Sequence, residues 1–155
     1  MDFENTIANL IQKGDVFTDV PGNSVSEIYK FVSESFDLPS EYDPKNICAE
    51  LLERENVLST AVGNGIALPH PRRPLLKNAD EQRIYVCYLR EPINMNAPDS
   101  RKVFVLFILF TSNTQSHIKI LSELAKLFRS VPFRKFLETK PDQNELVDFI
   151  SKGLY

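Results

Sequence analysis

Apolar positions alternate between two rhythms along this chain, and the changes of rhythm mark out its elements. Phe3, Ile7, Leu10 and Ile11 recur at helical spacing and the run stops at Gly14, which predicts a short amphipathic helix. Val16 to Val20 alternates and predicts a first strand. Ser24 followed by Glu27 reads as a capping box, and Val25, Ile28, Val32 and Phe36 give the helix it opens an apolar face, with Pro39 beyond its end. Asp43 as N-cap and Pro44 at the first helical position open a third helix to about Glu55, with Ile47, Cys48, Leu51 and Leu52 as its buried stripe.

The polar, glycine-bearing stretch from Asn56 to Gly65 reads as loop, and Ile66 to Leu68 as a brief strand halted by Pro69. Arg83 to Leu89 alternates in part, whereas Val103 to Phe110 is continuously apolar and predicts a strand covered on both faces. Helical spacing returns through Ser116, Leu121, Leu124, Ala125 and Phe128. A short piece follows around Phe133 to Leu137, then a last helix opened by Asp142 with Glu145. Strands interleaved with helices predict an α/β fold: a three-layer domain with about five strands.

Size and composition narrow the class. A chain of 155 residues fits a single domain, 1–155, able to bury roughly 70% of the surface its unfolded form exposes. With 43% hydrophobic and 25% charged residues, it has a globular composition and not that of a disordered chain. No internal repeat or low-complexity segment breaks it up. The net charge is −3 and no basic run exceeds Arg72-Arg73, which argues against direct nucleic-acid binding. Met1-Asp2-Phe3-Glu4 lacks the features of a signal peptide and no apolar run is long enough to span a bilayer, so a cytoplasmic protein without membrane insertion is expected. Cys48 and Cys87 fall on apolar segments without metal or redox spacing and are expected to be buried, reduced thiols.

The chemistry centres on His70, which follows the run Gly63-Asn64-Gly65-Ile66-Ala67-Leu68-Pro69 and sits just off a strand end between two prolines. Such an imidazole can attack phosphorus, ligate a metal, shuttle a proton or decorate a turn. Two histidines can share zinc, but a third or fourth ligand is wanting, so no metal is expected. No serine sits in a Gly-x-Ser-x-Gly elbow, which argues against a hydrolase. Cys48 falls mid-helix, unsuited to carry phosphate.

The segment Glu53-Arg54-Glu55, Ser59-Thr60 and Gly63 to His70 resembles the active-site segment of the fructose/mannitol-type enzyme IIA domains of the bacterial sugar phosphotransferase system, nitrogen-regulatory IIA proteins included. Ser116-His117-Ile118-Lys119-Ile120-Leu121 resembles the second histidine motif of that family. The likeness implies a mixed sheet flanked by helices and no cofactor. It implies that His70 takes up a phosphoryl group through Nε2 from a phosphocarrier protein (HPr-like) and passes it to a IIB partner, or uses it as a regulatory signal. His117, in the first turn of the long helix, is implied to stabilise the phosphate, and Arg54 to contact phosphate or partner. Thr60 and the turn Gly63-Asn64-Gly65 are expected to add a hydroxyl and N–H groups.

Relatives mostly carry a small residue after the histidine. Pro71-Arg72-Arg73-Pro74 stands here instead, and Arg72 and Arg73 would attract an anionic group or an acidic partner surface. The absence of an accompanying transporter segment favours the nitrogen-regulatory branch. A second function class stays open: a protein-binding module on the same fold that is never phosphorylated.

Overall fold

The computed structural model describes residues 6–153 and Tyr155. Phe3, expected on the first helix, lies outside them. Among the described residues the elements follow the order α1 (Ile7–Lys13), β1 (Asp15–Val20), α2 (Val25–Ser35), α3 (Pro44–Val57), β2 (Ala61–Gly63), β3 (Ile66–Ala67), a 3-10 turn (Ala79–Glu81), β4 (Arg83–Ile93), β5 (Val103–Phe110), α4 (Thr114–Arg129), α5 (Val131–Glu138) and α6 (Gln143–Ser151). The strands form one five-stranded sheet in the order β1-β4-β5-β3-β2, flanked by helices. β2 pairs antiparallel with β3 and β3 parallel with β5, so the sheet is mixed.

Helix ends follow their capping residues. Thr6, Asn113, Ser130 and Asp142 each accept an N–H from the first turn they open, which satisfies a donor that has no intrahelical partner. Asp142 and Glu145 form the full reciprocal box. The expected box at Ser24 is only half made. Ser24 accepts the Glu27 N–H, but the Glu27 carboxylate reaches past the cap to the N–H of Asn23.

Contacts group the chain into two compact units. One comprises the described residues up to Val16, Pro74–Tyr85 and those from Phe110 onward; the other comprises Phe17–Arg73 and Val86–Leu109. In the first unit α1 packs on α6 and α4 on α5. Phe128, Phe133, Phe149 and Phe136 form a chain of ring contacts, and Tyr85 meets Phe110 edge-on. The buried stripe of α4 is Ile120, Leu124, Leu127 and Phe128. Ala125 is exposed and Leu121 only half-buried, so the apolar face lies about one residue away from the expected one.

In the second unit α2 packs on α3. Of the expected stripe on α3, Ile47 and Leu51 are buried whereas Cys48 and Leu52 are half-exposed. β5 is buried on both faces at every position but Phe104, as a continuously apolar strand requires. The stretch 56–65 is not wholly loop. α3 continues to Val57, and β2 pairs with β3 through a two-residue turn at Asn64-Gly65. Both turn residues have positive φ (56° and 80°), the left-handed backbone that primed hairpin turns demand. Gly65 is required twice over, because a Cβ there would lie 2.6 Å from Cδ1 of Phe104.

Candidate active site

The site grows out of the segment just after that hairpin. Leu68 donates its N–H to the Thr60 carbonyl, and the Pro69 carbonyl accepts the Leu109 N–H from β5. Residues 68 and 69 are thus held from both sides beyond the formal end of β3. His70 comes next, half-buried, its Nδ1 2.7 Å from the Leu68 carbonyl oxygen. A carbonyl oxygen can only accept, so the ring proton sits on Nδ1 and Nε2 carries the in-plane lone pair. Burial lowers the basicity of this imidazole below the ordinary histidine value, and the positive charge of Arg54 acts in the same sense. The Leu68 bond and the negative Glu55 oppose them. The neutral, nucleophilic ring therefore dominates at neutral pH.

Arg54 and Glu55 are consecutive in the last turn of α3 and act on His70 with opposite sign. Arg54 is half-buried, and its Nη1 donates to the Leu58 carbonyl at 2.5 Å, closing the end of its own helix. Glu55 makes three hydrogen bonds. It accepts the Thr60 N–H at 2.7 Å, the Thr60 hydroxyl at 2.7 Å and the Tyr29 hydroxyl at 2.6 Å. Burial, reinforced by the Glu55 carboxylate, holds the Tyr29 phenol well above its ordinary value, so it remains a donor.

Thr60 and the Gly63-Asn64-Gly65 turn, both expected at the site, are held by bonds of their own. Thr60 is buried and gives its hydroxyl to Glu55, which makes it a structural tie for Leu68. The turn Gly63-Asn64-Gly65 lies at the opposite end of β3, roughly 15 Å of extended chain from His70. Its Asn64 N–H is taken at 2.8 Å by Asp99, whose carboxyl is held below the usual range first by that bond and then by the Arg101 N–H. The positive φ of the hairpin residues shapes the turn that leads into the strand delivering His70.

Beyond His70, Pro71 is buried while Arg72 and Arg73 are exposed. Arg72 lies 3.7 Å from Glu53 and Arg73 4.0 Å from Glu50, both partners on α3. These four residues line an open groove of about 410 Å³.

His117 stands in the first turn of α4, and its N–H makes an early helical bond to the Asn113 carbonyl. Its Nδ1 lies 2.9 Å from the hydroxyl of the buried Thr111. The fully buried Gln82 accepts both the N–H and the hydroxyl of Ser112, fixing the link that leads into the helix. Glu55, Tyr29, Gln82 and Thr111 are supports to which the sequence reading gave no role. Only Glu55, lying inside the Arg54 motif, carried a signal. Among the described residues no cluster of three or more His, Cys, Asp or Glu is placed to hold a metal, and no helix is long and apolar enough to cross a membrane.

Residues 9–153 match the family described as phosphoenolpyruvate-dependent sugar phosphotransferase system, EIIA 2. The chain belongs to that family, and it is a IIA-type domain homologous to nitrogen regulatory proteins. A nitrogen regulatory protein of Pseudomonas aeruginosa is 28% identical over 148 residues, spanning 93% of this chain and 94% of that protein. The crystal structure of nitrogen regulatory protein IIA-Ntr from Neisseria meningitidis superposes with a TM-score of 0.69 at 27% identity, covering 86% of this chain and 90% of that one. The fold also matches enzyme IIA-mannitol of Escherichia coli, solved in complex with phosphorylated enzyme IIB-mannitol: TM-score 0.63, 15% identity, 89% and 94% covered.

Proposed function

We propose that this chain is a phosphohistidine carrier in which Nε2 of His70 accepts a phosphoryl group from a phosphocarrier protein. It then hands the group to a IIB partner or uses it as a regulatory signal. The Nδ1–H bond to the Leu68 carbonyl is the observation that carries the reading, because it leaves the lone pair on Nε2. In the transfer, that lone pair forms a bond to phosphorus in line with the donor's P–N bond, which breaks and returns its electron pair to the donor nitrogen. The His70 ring gains positive charge while keeping its Nδ1 proton. The bond to Leu68 therefore strengthens as the reaction proceeds, an interaction greater in the transition state than before it.

Arg54 is proposed to contact phosphate or partner, and Arg72 to help form the docking rim. The resemblance gives His117 a supporting role in transfer, and a His117→Ala chain is expected to accept phosphate but pass it on slowly. Similarity to the Pseudomonas protein over nearly the full length of both favours the regulatory branch over sugar transport. The family match from 9 to 153 supports one EIIA type-2 domain, in a cytoplasmic protein.

Incubation with phosphoenolpyruvate, the first phosphotransferase enzyme and the carrier protein tests this reading. Intact-mass analysis is expected to show one added phosphoryl group on the wild type and none on His70→Ala. An unmodified wild type would instead favour a binding module that works without phosphorylation.

A further inference from the structure

Glu55 has no part in the transfer described above, yet its carboxylate accepts three hydrogen bonds. Its carboxylate gathers three donors from two separate stretches: Tyr29 on α2, and both the amide and the hydroxyl of Thr60. From Thr60 the path continues without a gap. The Thr60 carbonyl accepts the Leu68 N–H at 3.0 Å, and the Leu68 carbonyl accepts the His70 Nδ1–H at 2.7 Å. The N–H and C=O of Leu68 belong to adjacent peptide planes, so the link is mechanical and not an electronic relay. Pro69 stiffens the second plane from the other side through its fixed φ and the bond of its carbonyl to Leu109.

We infer that Glu55 is a positioning residue for His70: by clamping Thr60 it fixes the Leu68 carbonyl, which in turn orients the imidazole and selects its Nδ1–H tautomer. The inference rests on the phosphoryl-carrier reading for its kinetic consequence only. Three donors converge on one carboxylate, and removing it leaves the buried Thr60 N–H and hydroxyl seeking new acceptors. With Leu68 loosened, the imidazole is released to its other tautomer, in which Nε2 bears the proton and cannot attack. Glutamine is expected to preserve most of the arrangement. Its amide oxygen can take the Thr60 N–H, while its NH₂ group donates to the two hydroxyls, which can accept as well as donate.

The test combines tautomer and rate. ¹⁵N NMR of histidine-labelled protein should show His70 predominantly protonated on Nδ1 in the wild type and in Glu55→Gln. In Glu55→Ala the Nε2–H form should gain. Phosphoryl acceptance from the phosphorylated carrier protein should lose about tenfold or more in kcat with KM little changed in Glu55→Ala, and recover in Glu55→Gln. A merely structural role would lower Tm without moving the tautomer. A folded Glu55→Ala protein with wild-type tautomer and kcat overturns the inference, as does a wild type that is predominantly Nε2–H. Should Glu55→Ala not fold, Thr60→Val decides: a shifted tautomer supports the clamp and an unshifted one overturns it. The carrier reading fails separately, on a wild type that takes up no phosphate, because the tautomer measurement needs none.

Discussion

The imidazole Nδ1 of His70 and the carbonyl oxygen of Leu68 stand 2.7 Å apart, a bond between residues only two positions apart in the chain. Pro69 between them has its φ fixed by its own ring, which narrows the directions in which the chain can present His70 to that oxygen. The phosphoryl group is therefore expected on Nε2. ³¹P–¹⁵N correlation on the phosphorylated protein checks this directly, and a phosphorus coupled to Nδ1 would be incompatible with the bond.

The lowered basicity of His70, caused first by burial, has two consequences on acidification. Its neutral form persists below about pH 6.5, the ordinary histidine value, so the rate of phosphoryl acceptance should stay flat through that value and fall only further into acid. Stability moves with the same proton. Between the lowered native value and the ordinary one the unfolded chain binds more protons than the folded chain, so stability declines as pH falls through that window and levels off below it. Thermal melts across this range should show a shallower acid loss for His70→Gln than for the wild type; parallel losses would remove His70 as the cause.

Gly14 closes α1, and a Cβ there would lie 1.9 Å from the Ile84 carbonyl oxygen, a backbone atom that cannot swing away. Gly14→Ala is expected to cost about 3 kcal/mol or more, because two backbone segments must separate. Denaturant unfolding measures it, and a loss below about 1 kcal/mol would mean that α1 shifts freely against β4.

Arg72 and Arg73 are exposed and make long ion pairs, Arg72 with the exposed Glu53 and Arg73 with the half-buried Glu50, and such long surface pairs are worth about 0–1 kcal/mol each. The double variant Arg72→Ala/Arg73→Ala should thus leave Tm nearly unchanged. If this rim helps to seat an acidic partner surface, KM for the carrier protein should rise in the variant and become less sensitive to salt. A KM that stays fixed at low salt would reduce the two arginines to solvated surface.

Local signals were enough for most of the fold. Asp43-Pro44 and Asp142 with Glu145 announce helix starts because a cap acts within a few residues, and Val103 to Phe110 announces a covered strand by its unbroken apolar run. Signals failed where distant contacts decide. β4 continues through the polar Arg90-Glu91-Pro92 to Ile93, with Arg90 held by Asp19 on β1. α3 runs on to Val57, which stays 65% exposed and so leaves no amphipathic mark. β2 was hidden by its length of three residues and its own glycine, although Asn64-Gly65 is a hairpin signal in its own right. His70, His117 and Arg54 stand out in the sequence through short motifs. The support of Glu55 depends on Tyr29, 26 residues earlier, a pairing no local pattern records.

The two cysteines differ in a way that turns the chain into its own unfolding reporter. Cys87 is sealed within β4, whereas Cys48 is partly open to solvent on α3, its thiol pushed up by partial burial and so less ionised than a free thiol. A maleimide dye should thus attach once to the native protein, at a position off the apolar core, and a second time only when the sheet comes apart. Counting dyes per molecule by mass would read opening of the sheet without any engineered probe.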